Sequence, residues 1–415
     1  MTRVLVVDDS RFMRTVIGNA LTEAGYEVET AANGSEGVEL AATFDPDVVT
    51  MDVEMPEMDG IDAVERIMAT NPTILLMLSV HTERGAEATF DALERGAVDF
   101  IHKPDGSDSR NIAHLTDEVV ETVDELAEAQ ISSVALARAS ATAYATRTGT
   151  ASRTGRTSTA GTGAGTETEI GNAVAGGGSD AHPTCDSKTT GPDARPEIES
   201  GFESGEPAPP ITVGDDRADA PTVIIGASTG GPKIVERVFE RLPTDLEAKV
   251  LVVQHMPPEF TSRLADRLDS LSTYDVSEAT DRQRLTSGEA AVAPGHSHLE
   301  VASNVGGALR LRLDEGDRIH GVRPAIDVTM TSAAERVSDA LCGVVLTGMG
   351  RDGAAGIEAI KAAGGRTIAQ DEATSPVFGI PCQAIDTGCV DRVAPANGIV
   401  DAIVDAFTTD GENDD

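Results

Sequence analysis

Tryptophan is absent from the chain, and 9 phenylalanines with 3 tyrosines bring aromatics to only 3% of its 415 residues. Basic residues are scarce too: 32 lysines and arginines stand against 70 aspartates and glutamates, a formal net charge of −38. Such a surface repels phosphate backbones and anionic lipid, which argues against a duplex-DNA or anionic-membrane binder. Few aromatics with so many acids fit either disorder or adaptation to a salt-rich cytoplasm. Apolar runs at Val4–Val7, Ile74–Leu78 and Lys249–Val253 are core material, so disorder does not explain the whole chain and salt adaptation is the expectation. The 4 cysteines (Cys185, Cys342, Cys382, Cys389) include no C-x-x-C pair and suggest no disulfide framework; reduced thiols are expected. No apolar run reaches bilayer length and no leader-like segment precedes the first strand, which points to a cytoplasmic protein without membrane insertion.

What is present divides the chain into parts, since 415 residues exceed one ordinary core. Residues 1–123 alternate apolar strand runs with helical periodicity, and the pattern predicts a doubly wound parallel α/β domain. From about Thr116 to Ala137 an acidic, helix-prone stretch includes that domain's last helix, and residues 124–220 are assigned to a linker. From 138 they turn rich in Thr, Ala, Gly, Ser and Pro, and read as a flexible linker. Residues 221–409 return to strand and helix patterns, predicting a larger, mainly parallel α/β domain with a β insertion; 410–415 form an acidic tail. Shorter β runs are expected at Asp275–Thr280, Ala290–Ala293, Leu299–Ala302 and Leu309–Leu313.

Ligands in such folds sit beyond the carboxyl ends of the strands. In the first domain those ends carry Asp8 and Asp9, Asp52, Ser79 and Lys103. Clustered carboxylates repel unless a cation neutralises them, and oxygen ligands with room for water suit Mg²⁺. A carboxylate beside such a metal, a hydroxyl and an ammonium group is placed to attack a phosphoryl donor. Taken singly, each acid reads better as a helix cap or a solvated loop residue; the five together do not. Val6-Val-Asp-Asp-Ser10, Met51-Asp-Val-Glu-Met-Pro-Glu-Met-Asp-Gly60, Ser79 and Lys103-Pro104 resemble a response-regulator receiver domain. The resemblance implies Asp52 as phospho-acceptor, with Asp8, Asp9, Asp52 and the Glu54 backbone carbonyl around Mg²⁺. Ser79, Phe100 and Lys103 are then the switch residues.

The second domain opens on Thr222–Pro232, a buried run followed by Gly226-Ala-Ser-Thr-Gly230. G-x-S-x-G at a strand-to-helix turn lifts a serine hydroxyl above the sheet edge, although a glycine-rich turn of this kind also holds phosphates or simply turns the chain. A serine nucleophile needs a base, and the base an orienting acid. His255 ends the next strand, and Asp352 follows a later one in Leu346-Thr-Gly-Met-Gly-Arg-Asp-Gly353. Singly, His255 reads as a structural histidine and Asp352 as the cap of a helix at Ala354–Ala363. His296 and His298 form an H-x-H pair with no evident third ligand, and Arg323 either grips a substrate carboxylate or pairs with Asp327.

The order Ser228, His255, Asp352 is not that of an α/β-hydrolase. It does match another family. Gly226-Ala-Ser-Thr-Gly-Gly-Pro232, Gln254-His-Met-Pro257, Ala293-Pro-Gly295, Arg323-Pro-Ala-Ile-Asp-Val328 and Leu346–Gly353 resemble the chemotaxis protein-glutamate methylesterase. The resemblance implies hydrolysis of glutamate γ-methyl esters on methyl-accepting chemotaxis receptors, with deamidation of selected glutamines. Ser228 is then the nucleophile, His255 the base and Asp352 its orienter. Thr229 and the Met349 amide would serve the oxyanion, and Arg323 the substrate. It further implies a chemotaxis histidine kinase as phosphodonor and no cofactor for ester cleavage; a monomer is expected. From the pairing of the two domains, an unphosphorylated receiver is expected to cover Ser228 and to release it on phosphorylation. Two readings compete: a phospho-regulated binding module with a vestigial triad, and a receiver-linked transcription factor, which the acidic charge disfavours.

Overall fold

Strands buried on both faces must be apolar throughout, because neither face meets water. The computed structural model, which describes residues 1–80, 83–103, 109–128 and 220–408, sets such strands at the centres of two sheets. The first unit runs β1 (Arg3–Val7), α1 (Arg11–Glu23), β2 (Glu27–Ala31), α2 (Gly34–Phe44), β3 (Val48–Asp52), α3 (Gly60–Thr70), β4 (Ile74–Val80), α4 (Glu83–Arg95), β5 (Asp99–Lys103) and α5 (Ser109–Glu128). Its sheet has the order β2-β1-β3-β4-β5 and every pairing is parallel. The crossovers therefore deliver all strand carboxyl ends, with Asp8 and Asp9, Asp52, Ser79 and Lys103, to one edge. Ser10 caps α1, Asn33 α2 and Asp59 α3, each accepting a backbone N–H inside its helix. The last helix ends at Glu128, beyond the expected domain limit at 123. The linker and the acidic tail lie outside the described residues, apart from 124–128 and Ala220.

The second unit contains β6 (Thr222–Ala227), α6 (Gly231–Arg241), β7 (Lys249–Gln254), α7 (Pro258–Leu271), β8 (Asp275–Glu278), β9 (Arg284–Leu285) and β10 (Glu289–Val292). After these come β11 (His298–Val305), β12 (Ala308–Asp314), α8 (Ile326–Arg336), β13 (Leu341–Val345), α9 (Ala354–Ala362), β14 (Arg366–Gln370), α10 (Gly379–Asp386), β15 (Arg392–Ala394) and α11 (Ile399–Phe407). Seven strands make a parallel sheet of order β15-β14-β13-β6-β7-β10-β8. Two of the four shorter β runs, at Asp275 and Ala290, extend this sheet. Ala290–Val292 is buried throughout, as an inner parallel strand requires. The antiparallel insertion consists of β11, β12 and the two-residue β9, which is too short to carry a periodic signal.

Among the described residues Cys342 and Cys389 are free thiols, as expected. No helix among the described residues is long and apolar enough to cross a membrane.

Candidate active site

β6 and β7 are register neighbours, Ala227 opposite Gln254, so the next residue on each strand, Ser228 and His255, emerges side by side at the sheet edge. The turn after β6 is held from both flanks. Ser228 donates its N–H to the Thr347 carbonyl (2.9 Å), and its own carbonyl accepts from Gly231 N (2.8 Å) and Gln254 Nε2 (2.8 Å). Gly230 takes φ +74°, and a Cβ there would lie 2.7 Å from Pro376 Cβ. Gly226 serves packing instead: a Cβ would meet Ile326 Cγ2 at 2.4 Å. Gln254 opens the Gln254-His-Met-Pro257 motif, but the motif assigns it no role of its own.

His255 Nε2 lies 2.8 Å from Asp352 Oδ2. Asp352 does not cap the helix that follows it. It accepts from Ile326 N (2.6 Å) and Asp327 N (3.0 Å), the opening of α8, while Asp327 Oδ1 accepts from Gly353 N (2.9 Å) and Gly356 N (2.7 Å) at the start of α9. Each acid thus caps the other's helix, which fixes both carboxylates. Burial opposes ionisation of Asp352, but the bond and charge of His255 and the two backbone N–H groups outweigh it and hold the pKa below the ordinary value. Asp327 does not pair with Arg323. Its Oδ2 meets His320 Nε2 at 2.9 Å, and Arg323 Nη1 donates to the carbonyls of Glu315 (2.6 Å) and Gly316 (2.7 Å). His298 is a satisfied core residue: Nδ1 accepts from Ala325 N (3.1 Å) and Nε2 donates to the Asp317 carbonyl (2.9 Å), leaving no lone pair for a metal.

In the first unit, Lys103 Nζ bridges Asp8 Oδ2 (2.7 Å) and Asp52 Oδ1 (2.8 Å). Carboxylate oxygens of Asp8, Asp9 and Asp52 lie within 4.8 Å of one another. Burial, with repulsion from Asp8 and Asp9, raises Asp52 to about 6 despite the opposing attraction of Lys103. Three crowded carboxylates with one shared ammonium fit a divalent cation. Ser79 is fully buried on β4, one residue before the Val80–Lys103 pairing, and Glu54 lies exposed in the loop after β3.

A family model described as CheB methylesterase matches residues 223–403, and one described as response regulator receiver domain matches residues 4–114. A protein-glutamate methylesterase/protein-glutamine glutaminase of Haloarcula marismortui is 45% identical over 409 residues, covering 98% of each chain. The protein of the same name from Pyrococcus horikoshii is 39% identical over 407 residues, 97% of this chain and 93% of that one. The chain belongs to this methylesterase family. Among solved structures, the Thermotoga maritima CheB methylesterase catalytic domain is 42% identical (TM-score 0.43) over 45% of this chain and 98% of that one. The response regulator domain of Thermotoga maritima CheB is 44% identical (TM-score 0.29) over 31% and 97%.

In this member of the methylesterase family the two units meet over one cavity of about 760 Å³, lined by Ser228, Thr229, His255, Arg323, Met349 and Asp352 on one side. Asp99, Phe100 and α5 residues of the receiver line the other. Phe100 stacks on Phe260 of α7, centroids 4.4 Å apart and planes at 14°. Asp99 Oδ2 accepts from Gly230 N (2.9 Å), two residues beyond Ser228. Arg267 of α7 joins Glu236 to Glu94 of receiver helix α4. Thr122 of α5 touches the Met349 sulfur at 3.8 Å. Asp99 is buried, and desolvation lifts it to about 7 although backbone N–H groups of Phe100 and Gly230 favour its ionised form. None of these contacts between the units was expected residue by residue, because each joins residues more than a hundred positions apart.

Proposed function

We propose that the protein hydrolyses glutamate γ-methyl esters of methyl-accepting chemotaxis receptors through Ser228, His255 and Asp352, and deamidates glutamines by the same route. The observation that carries this reading is the 2.8 Å His255–Asp352 contact at the mouth of the Ser228 turn. Asp352 holds Nε2, so Nδ1 is the nitrogen left to take the Ser228 proton. Ser228 Oγ attacks the ester carbonyl, Thr229 and the Met349 amide face the developing oxyanion, and His255 returns the proton to the departing methoxide. Methanol leaves, and water, deprotonated by His255, releases the glutamate; a glutamine side chain passes through the same acyl-enzyme and loses ammonia.

The receiver sets access. Its β5–α5 edge fills part of the Ser228 cavity, and phosphorylation of Asp52 by a chemotaxis histidine kinase shifts the population toward an undocked arrangement. Asp8, Asp9, Asp52 and the Glu54 carbonyl would hold Mg²⁺, which when bound offsets carboxylate repulsion and the charge of the phosphoryl group. Ser79 and Lys103 stand at the same edge, and Phe100, stacked on Phe260, links that edge to α7.

The test is methanol release from methylated receptor, with and without a phosphodonor. Ser228→Ala is expected to lose on the order of 10⁴-fold or more in kcat with thermal stability unchanged. A serine-reactive fluorophosphonate should label Ser228 and fail on the variant. Substantial turnover by Ser228→Ala, or an unreactive Ser228, returns the site to a phospho-regulated binding module.

A further inference from the structure

Acids outnumber bases 70 to 32 in the whole chain, yet the second unit's wall of the cavity reverses that balance. It presents Arg318, Arg323 and Arg351 with a single carboxylate, Asp352, which is already committed to His255 and two backbone N–H groups. Among the described residues none of the three arginines pairs with an acid. Arg318 donates to the Gly321 carbonyl (3.4 Å) and Arg323 to the carbonyls of Glu315 and Gly316, while Arg323 Nε is buried without a partner. A guanidinium in a partly enclosed site retains donors that a carboxylate satisfies two at a time. In a chain so rich in acids, three guanidinium groups on one wall without an ion pair of their own set this rim apart.

The opposite wall has the complementary sign. Asp117, Glu118 and Glu121 of α5 line the same cavity without pairing with the arginines, so the receiver holds an acidic helix across from the basic rim. Burial raises the Glu118 pKa, as expected for an acid enclosed without a guanidinium partner.

We infer that Arg318, Arg323 and Arg351 form an anion-binding subsite that selects an acidic helical segment around the esterified glutamate. This rests on the proposed ester hydrolysis at Ser228 and deepens it. The susceptible side chain is neutral as an ester or amide, so the neighbouring carboxylates supply the charge that the rim reads. α5 occupies the same space in the docked state as a helix of the same sign.

Two helical peptides test this, each with one glutamate γ-methyl ester, flanked by glutamates in one and by glutamines in the other. Methanol release is measured with the full-length protein and a small-molecule phosphodonor. The acid-flanked peptide should show a kcat/KM higher by roughly tenfold, carried by KM, the size of one charge-assisted hydrogen bond. In the Arg318→Gln/Arg351→Gln variant that ratio should fall toward one, and Arg318→Lys/Arg351→Lys should restore part of it. Equal KM values for the two peptides with the unaltered protein overturn the subsite. Fluorescence anisotropy of the same two sequences carrying methionine, which is neither ester nor amide, at the ester position reads binding separately. Tighter binding of the acid-flanked peptide without any methanol release upholds the subsite and sinks the esterase reading. Equal binding sinks the subsite alone.

Discussion

Two carboxylates, Asp52 and Asp352, stand at carboxyl edges of parallel sheets, and both are buried, with 7% and 3% of their surface exposed. Their ionisation differs in direction. Asp52 is raised to about 6, whereas Asp352 is held below the ordinary value. Burial acts the same way on both; the partners differ. Asp52 shares Lys103 with Asp8 and is repelled by Asp8 and Asp9, while Asp352 has two backbone N–H groups and an imidazole. Asp99 sharpens the lesson. It accepts backbone N–H groups as Asp352 does, but no cation faces it, and it rises to about 7. Backbone donors alone leave Asp99 raised and a shared ammonium leaves Asp52 raised; the imidazole and two backbone N–H groups together lower Asp352.

The comparison can be broken in order of effect. Asp352→Asn keeps one acceptor oxygen, turns an amide NH2 toward the other partner, and removes the charge behind His255. The expected loss in kcat is on the order of 10³–10⁴-fold, with a lowered melting temperature from the buried donor left unpaired, read from methanol release and thermal melting. A loss below tenfold would mean that Asp352 is only a helix cap. Next, Phe100→Ala removes the stacked contact between the units. Basal hydrolysis without phosphodonor should rise roughly tenfold, since about 1.4 kcal/mol of lost interface shifts the docked population by that factor. An unchanged basal rate would show that docking does not limit access to Ser228.

Asp99 gives a smaller, pH-dependent effect. Its docked value near 7 lies above the ordinary 3.8 to which it returns in water, so docking takes up a proton. The contact is therefore fully formed below about 4 and weakens as pH rises through about 7. The ratio of basal to phosphodonor-stimulated rate should climb several-fold between pH 5.5 and 8, on the order expected for one proton linked to docking. In Asp99→Asn it should stay flat. A parallel climb in the variant would assign the pH effect to another group. Smallest is the response to salt. With a net charge of −38, repulsion between exposed acids is screened by ions, and the melting temperature should rise between low and molar salt. A flat melting curve would remove salt adaptation as the reason for the acidity.

Much of the catalytic edge was legible because parallel sheets collect strand ends on one side. Ser228, His255 and Asp352 could be named from motifs at those ends, and likewise Asp8, Asp9, Asp52, Ser79 and Lys103. The Arg323–Asp327 alternative failed because sequence proximity says nothing about which way two side chains leave a turn. Asp327 looks toward α9 and His320, and Arg323 toward the carbonyls of Glu315 and Gly316. The strands at Asp275 and Ala290 were found as strands but not placed. A four-residue run records its own burial and not the identity of its neighbour.

Local order of residues determined the two parallel folds and the chemical groups at their edges, since strand periodicity and strand-end motifs act over a few residues. Tertiary structure alone decided which helix each acid caps, that Phe100 meets Phe260, and that Asp99 reaches Gly230. These are contacts between surfaces brought together only after each sheet has formed, and no periodicity in the chain encodes their register.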